Sequence, residues 1–145
     1  MSGFLLDVNV LIARSDARHE FFERTRRWMA TVGDTPLFLC PIVENGFARI
    51  YGHPSYPGGP GSPAAALSDL RRIRALPTIR FIPDDLSIGD ASVFSLTDDV
   101  GSKGITDLYL LGLAAHHGIA FATLDEAVRT DTVKDGGAAL FVVPW

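Results

Sequence analysis

The sequence has almost no cysteine and no long hydrophobic run. Cys40 is the only cysteine among the 145 residues, so an internal disulfide and a zinc site built on several thiolates are both excluded. We expect this thiol to behave as a small buried hydrophobic group. The longest apolar run, 108–115, is far shorter than the roughly 20 residues that span a bilayer, and the N-terminus lacks the basic start and cleavage site of a signal peptide. These absences predict a cytoplasmic protein with no membrane segment.

The chain also lacks a surplus of positive charge. Thirteen Lys and Arg residues stand against seventeen Asp and Glu residues, which gives a formal net charge of −4. Taken alone, this charge argues against a polyanionic partner such as RNA. The objection weakens if several carboxylates bind divalent cations at one site, because the bound ions offset the negative charge. The distribution of the acidic residues therefore matters more than their number.

What the sequence does contain is an alternation of strand-like and helix-like segments. Short apolar runs bounded by turn residues predict strands, and apolar residues at a helical period predict amphipathic helices. Together they predict one α/β domain over residues 1–145, with a mainly parallel central sheet flanked by helices on both faces. The predicted strands are 3–6, 37–40, 79–82, 119–123 and 140–143. The predicted helices begin at Asn9 and Pro41 and span 16–32, 64–76 and 106–117, while 53–63 is a loop and the stretch through Asp99 is expected to form short helices.

Four carboxylates lie where parallel strands would bring them together. Asp7 follows the first predicted strand, and Glu44 lies in the first turn of the helix after the second. A helix from Asp107 to the end of its segment runs roughly 15 Å, and strand 119–123 returns roughly 16 Å, so Asp107 and Asp125 come back to the same edge. Ligands in such folds bind beyond the carboxyl ends of the strands. We therefore expect all four side chains to line one pocket.

Carboxylates crowded into one pocket raise one another's pKa values, so a stable cluster needs a cation or shared protons. Ligand sets made only of oxygen favour Mg²⁺ or Mn²⁺ over zinc. In a two-metal arrangement one ion helps to activate water and the other stabilises the leaving 3′ oxygen, which leaves a 5′ phosphate on the product. The pattern therefore favours a nuclease in which Asp7, Glu44, Asp107 and Asp125 are the catalytic and metal-binding residues.

Other polar residues lie near the expected pocket. Asn9 and Thr123 could hydrogen-bond a metal-binding carboxylate or a metal-bound water, although ordinary capping chemistry explains them equally well. Arg49 is the best-placed arginine for contacting an RNA phosphate, and the others are expected on solvated helix faces. His116 and His117 close a helix, where a positive charge is favourable. Each of the four carboxylates could by itself simply cap or begin a helix. The prediction of a metal site therefore depends on all four being expected at the same edge of the sheet.

These residues resemble the PIN domains of VapC-type toxins from type II bacterial toxin–antitoxin pairs. The likeness covers nearly the whole chain and is carried by LLDVNVLIA with Asp7 and Asn9, PIVENGFARI with Glu44 and Arg49, ITDLYLLGLAAHHG with Asp107, and FATLDEAV with Thr123 and Asp125. The resemblance implies an endoribonuclease, dependent on Mg²⁺ or Mn²⁺, that cuts structured RNA such as tRNA or ribosomal RNA. It also implies a homodimer that is inhibited by a cognate VapB-type antitoxin reaching into the acidic pocket.

One departure from the family pattern concerns the last motif. Many relatives have a further Asp two positions after the one that matches Asp125, whereas here Glu126 and Ala127 follow. The resemblance therefore leaves open whether Asp125 binds the metal directly.

Three other functions are compatible with parts of the pattern. A receiver-like or phosphatase domain would use Asp84 and Asp85 after a strand, but it also needs a Lys after a later strand to bind the phosphoryl group. A non-catalytic module would bind RNA or a protein through the same surface. Cleavage without metal would use His116 and His117 as acid and base and would leave a cyclic phosphate.

Overall fold

A five-stranded sheet forms the centre of the computed structural model, which describes residues 2–145. The strand order is β3-β2-β1-β4-β5, and each of the four pairings between neighbouring strands is parallel. This confirms the expected parallel sheet. The strands are β1 (Phe4–Leu6), β2 (Leu37–Leu39), β3 (Ile79–Phe81), β4 (Ala120–Thr123) and β5 (Leu140–Val142).

Helices connect the strands and cover the sheet on both sides. From β1 the chain steps outward to β2 and β3, and it then returns past β1 to β4 and β5. Because such crossovers are right-handed, reversing the direction of travel places the later helices on the opposite face. The helices are α1 (Val8–Ser15), α2 (Phe22–Val32), α3 (Pro41–Tyr51), α4 (Pro63–Arg74), α5 (Ile105–His116) and α6 (Gly136–Ala139), with a short 3-10 helix at Ser102–Gly104.

The hydrophobic core lies between the sheet and these two helix layers. Leu5 and Leu6 of β1 and Phe121 of β4 are fully buried, as are Phe47 of α3 and Leu110 of α5. Both faces of a parallel sheet are covered by helices, so its central strands are apolar on both sides. The core therefore fixes the central strands, whose carboxyl ends carry the acidic residues.

The second predicted helix begins later than its sequence pattern indicates. The prediction started it at Asp16, but α2 starts at Phe22. Asp16 instead caps the end of α1, and its carboxylate accepts hydrogen bonds from the Arg18 amide (2.9 Å) and the Tyr56 hydroxyl (2.7 Å). A side chain that bonds a nearby amide in this way competes with helix formation.

The stretch after β3 also differs from the prediction of short helices. Residues 82–101 form irregular segments and short turns, with one antiparallel bridge between Phe94 and Val133. Ser87 and Asp90 each accept a hydrogen bond from the amide two residues further on, at 3.0 and 2.9 Å, which favours turns over a helix. Helix α6 was not predicted at all. Among the described residues, no helix is long and apolar enough to cross a membrane.

Candidate active site

The carboxyl ends of β1 and β4 lie side by side at the point where the chain reverses its direction across the sheet. Leu6 of β1 pairs with Ala122 of β4, Asp7 follows directly, and Asp125 lies two residues after β4. Asp107 is in the first turn of α5, the helix that leads into β4. Such a switch point is where α/β sheets bind ligands. The structure therefore places these three aspartates at the edge that the sequence predicts.

Asp7 is buried and firmly positioned. Its side chain is the N-cap of α1 and accepts a hydrogen bond from the Val8 amide at 2.7 Å. Its second oxygen accepts a hydrogen bond from the hydroxyl of Thr123 at 2.6 Å. Burial raises the pKa of Asp7 to about 7, against the lowering effect of these two hydrogen bonds. A carboxylate this costly to ionise favours a nearby cation.

The charges of the three aspartates influence one another. Asp107 and Asp125 both contribute to the raised pKa of Asp7. The pKa of Asp107 is also raised, first by burial and then by Asp125. Thr123 links two members of the group, because its hydroxyl oxygen also accepts a hydrogen bond from the Asp125 amide at 3.1 Å. We call Asp7, Asp107 and Asp125 the aspartate cluster.

Glu44, the fourth predicted ligand, contacts an arginine. It is half-buried on α3, and Arg74 of α4 lies beside it, with Nε 3.5 Å from Glu44 Oε2. Burial raises the pKa of Glu44 and Arg74 lowers it, and none of the three aspartates contributes to the shift. The buried oxygen Oε2 nevertheless accepts no hydrogen bond. Glu44 is thus paired weakly with Arg74, and its buried oxygen is left without a hydrogen bond.

A cavity of about 240 Å³ opens beside the aspartate cluster. Asp107 and Asp125 line it together with Lys103 and Arg129. Arg129 forms ion pairs with Asp99 and Asp131, with nitrogen–oxygen distances of 2.8 and 2.7 Å. Lys103 takes part in no ion pair among residues 2–145, so it adds positive charge to the cavity wall. Lys103 is not among the residues that the sequence predicts for the site, although its position four residues before Asp107 is a usable signal.

The predicted supporting residues lie next to the cluster. Asn9 accepts a hydrogen bond from the amide of Leu124 at 3.4 Å, which connects α1 to the turn after β4. Arg49 is exposed and lines a second cavity of about 260 Å³. Val8 and Thr106, which are direct neighbours of cluster members, line the same cavity. Arg49 is therefore close to the acidic edge without pairing with it.

The residues of the competing hypotheses are engaged elsewhere. Asp84 accepts a hydrogen bond from the Ile42 amide at 3.2 Å, at the start of α3. Asp85 contacts His117, with 2.7 Å between the carboxylate and the ring nitrogen Nε2. Asp84 and Asp85, the pair proposed for a receiver-like site, thus make two separate contacts.

Asp125 also has a local role, since its carboxylate accepts a hydrogen bond from the Ala127 amide at 2.8 Å.

An oxygen-only metal site fits the aspartate cluster. Its donors are carboxylates, one of which is buried and difficult to ionise without a cation. Among the described residues, one group of potential metal ligands has all its ligand atoms within 4.8 Å of one another. That group is Asp85, His116 and His117, not the aspartate cluster. The aspartates are therefore more widely spaced. Mg²⁺ would therefore be held directly by one or two of these carboxylates and through its retained waters by the others.

The chain is similar to one protein family and to several named ribonucleases. The family model of the PIN domain matches residues 4–130. Ribonuclease VapC44 of Mycobacterium tuberculosis is 36% identical over 129 residues, covering 89% of this chain and 90% of that protein. Ribonuclease VapC38 of the same species is 34% identical over 130 residues, covering 87% of each chain. Ribonuclease VapC39 is 33% identical over 129 residues, covering 86% of this chain and 89% of its own.

Proposed function

Because this chain belongs to the PIN-domain family and is homologous to VapC ribonucleases, we propose that it is a metal-dependent endoribonuclease and the toxin of a type II toxin–antitoxin pair. The observation that carries the proposal is the aspartate cluster at the switch point of the sheet, with the pKa of buried Asp7 raised to about 7. A site made of several carboxylate oxygen donors is suited to divalent metal, and divalent metal is suited to phosphodiester hydrolysis.

The metal is proposed to be Mg²⁺ or Mn²⁺, with Asp7, Asp107 and Asp125 as its ligands. Such a cation supplies activation of the attacking water and stabilisation of the leaving 3′ oxygen. Glu44 is proposed as a further ligand, directly or through water, because its buried Oε2 accepts no hydrogen bond. The ion pair between Arg74 and Glu44 would then weaken when Glu44 binds the metal.

The neighbouring residues position these carboxylates. Thr123 and the Val8 amide each donate a hydrogen bond to one oxygen of Asp7, so the orientation of the carboxylate is fixed before metal arrives. Asn9 is proposed to secure the turn that carries Asp125, through the Leu124 amide. Partners of this kind typically change metal affinity or activity by 10- to 100-fold. A protein nucleophile is not needed for this reaction.

The proposed substrate is structured RNA such as tRNA or ribosomal RNA. An acidic pocket repels the phosphate backbone unless cations surround it. Arg49 and Lys103 are placed on two cavities that flank the cluster, and both side chains are exposed. We propose that they contact phosphates on either side of the cleaved bond.

The proposed partners follow from the same family membership. A VapB-type antitoxin is expected to inhibit the enzyme by occupying the acidic pocket, and the net charge of −4 suits a basic antitoxin segment. A homodimer is expected in addition. Size-exclusion chromatography coupled to light scattering would test the dimer with and without the antitoxin.

The direct test is cleavage of total cellular RNA by the purified chain, free of antitoxin, with Mg²⁺ or with EDTA. We expect discrete fragments with 5′ phosphates in Mg²⁺ and none in EDTA, and none from Asp7→Asn under either condition. Cleavage in EDTA that leaves cyclic phosphates would contradict the metal mechanism. Binding without cleavage in every RNA pool would favour a non-catalytic module.

A further inference from the structure

A second group of metal-ligating side chains lies at the other end of α5 from Asp107. The potential ligand atoms of Asp85, His116 and His117 all lie within 4.8 Å of one another. His117 Nε2 is 2.7 Å from Asp85 Oδ1. The two imidazole rings are nearly perpendicular, at 88°, with centroids 5.3 Å apart. None of these residues takes part in the proposed nuclease mechanism.

The local fold holds these ligands in place. His116 is the last residue of α5 and His117 is its C-cap. The left-handed conformation of Gly118 (φ 68°) then turns the chain away. On the opposite side, the neighbours of Asp85 are both anchored. The Asp84 carboxylate accepts from the Ile42 amide at 3.2 Å, and the Tyr109 hydroxyl donates to the Leu86 carbonyl at 2.8 Å.

The donor set differs in kind from that of the aspartate cluster. Two imidazole nitrogens and one carboxylate oxygen suit Zn²⁺ and similar borderline transition metals rather than Mg²⁺. Three protein ligands with water at the remaining position is a common arrangement for zinc. The C-terminal end of a helix carries partial negative charge, which also favours a bound cation there.

We propose that Asp85, His116 and His117 form a Zn²⁺-binding site that is separate from the nuclease pocket. In a tetrahedral site the distance between an imidazole nitrogen and a carboxylate oxygen is roughly 3.3 Å. His117 and Asp85 at 2.7 Å therefore need to separate by only a fraction of an ångström, as the ion replaces the proton between them. His116 makes no side-chain hydrogen bond among residues 2–145, so its ring is free to turn toward the ion.

The bound ion connects two parts of the chain that are far apart in sequence. The turns at 82–101 lead into the 3-10 helix Ser102–Gly104 and then into Asp107. Zinc at this site fixes the beginning of that segment to the end of α5. At a free Zn²⁺ concentration of 100 times the Kd, we expect the Tm to rise by roughly 5 to 10 °C.

The test is calorimetric titration of the purified chain with Zn²⁺, in excess Mg²⁺ so that the aspartate cluster is occupied. We expect one Zn²⁺ per chain and at least about a ten-fold loss of affinity in both His116→Ala and His117→Ala, since each removes a ligand. His53→Ala is the matched control, because His53, like His116, is an exposed histidine but lies in the loop after α3. Its affinity for Zn²⁺ should not change. Circular dichroism without zinc would confirm that each variant is folded.

Cobalt provides a second readout that is independent of nuclease activity. Co²⁺ in place of Zn²⁺ should give visible absorption typical of nitrogen ligation, which is absent in His117→Ala. Asp85→Asn should weaken binding with the helix intact. No Zn²⁺ binding at millimolar concentration would overturn the proposal. So would binding that survives both histidine substitutions or that is lost in Asp7→Asn instead.

Discussion

The two ends of α5 present opposite chemistry on one helix. At the N-terminal end, Asp107 joins buried Asp7, whose pKa is raised to about 7. At the C-terminal end, exposed Asp85 has its pKa lowered, chiefly by its hydrogen bond with His117. The difference is one of burial and partners: desolvation disfavours the charged form of Asp7, while a proton donor favours the charged form of Asp85.

This contrast predicts that the two ends select different ions. The N-terminal end offers only carboxylate oxygens, which suit a hard cation that retains its waters. The C-terminal end offers imidazoles and one carboxylate, which suit a softer cation. If the ends are independent, a substitution at one should leave the metal chemistry of the other unchanged.

The largest expected effect comes from substitutions that each remove a metal ligand at one end of α5 only. Asp107→Asn should reduce Mg²⁺-dependent RNA cleavage by more than about 100-fold, because it removes a proposed ligand and a charge. Its affinity for Zn²⁺ should remain that of the unmodified chain. His117→Ala should show the reverse, with zinc affinity lost and cleavage largely retained. Loss of cleavage in His117→Ala would instead favour acid–base catalysis by the histidine pair.

A more selective change removes one hydroxyl group at the N-terminal end of α5. Thr123→Val deletes the hydroxyl that donates to Asp7 Oδ2 and accepts from the Asp125 amide, so the Asp7 carboxylate is held by the Val8 amide alone. We expect a 10- to 100-fold fall in activity and a need for more Mg²⁺. Thr25→Val is the matched control, because Thr25 is also fully buried but its hydroxyl has no hydrogen-bond partner. Equal activity in the two variants would contradict the positioning role of Thr123.

The two ends should also respond oppositely to pH. In metal-free protein, the unfolded chain loses the Asp7 proton near pH 3.8 and the folded chain only near pH 7. The free energy of unfolding therefore falls as pH rises between these values. Asp7→Asn removes this penalty, so it should stabilise the protein at pH 8 by roughly 2 to 4 kcal/mol and much less at pH 4.

Asp85→Asn provides the contrast in the same experiment. Because the pKa of Asp85 is lowered in the folded state, its ionised form stabilises the protein at neutral pH and this contribution is lost in acid. The substitution should cause a small loss of stability at pH 7, since the group is exposed. Urea unfolding in EDTA at pH 4, 6 and 8 would measure both variants. A stabilising effect of Asp7→Asn that does not grow with pH would contradict the burial argument.

Sequence patterns predict the N-terminal end of α5 better than its surroundings. Asp7 and Asp125 follow buried strands, and the parallel sheet then fixes their position. The partner of Glu44 could not be predicted in this way, because its contact with Arg74 depends on how α3 packs against α4. Helix α6 has the sequence GGAA, which carries no apolar period. The contact between Asp85 and His117 joins residues 32 apart in sequence, and no local pattern signals it.

The smallest expected effect concerns the cations that flank the aspartate cluster. The pocket is acidic at its centre, so RNA must be attracted by positive side chains at its margin. In an Asp7→Asn background, which prevents cleavage, Arg49→Ala and Lys103→Ala should each weaken RNA binding a few-fold and reduce the slope of log K against log salt by about one. Arg72→Ala is the control, because Arg72 is exposed on α4 and paired with Asp69 at 2.6 Å. Unchanged salt slopes for both Arg49→Ala and Lys103→Ala would mean that RNA approaches from another side. An equal change of slope in Arg72→Ala would show that only the total charge of the protein matters.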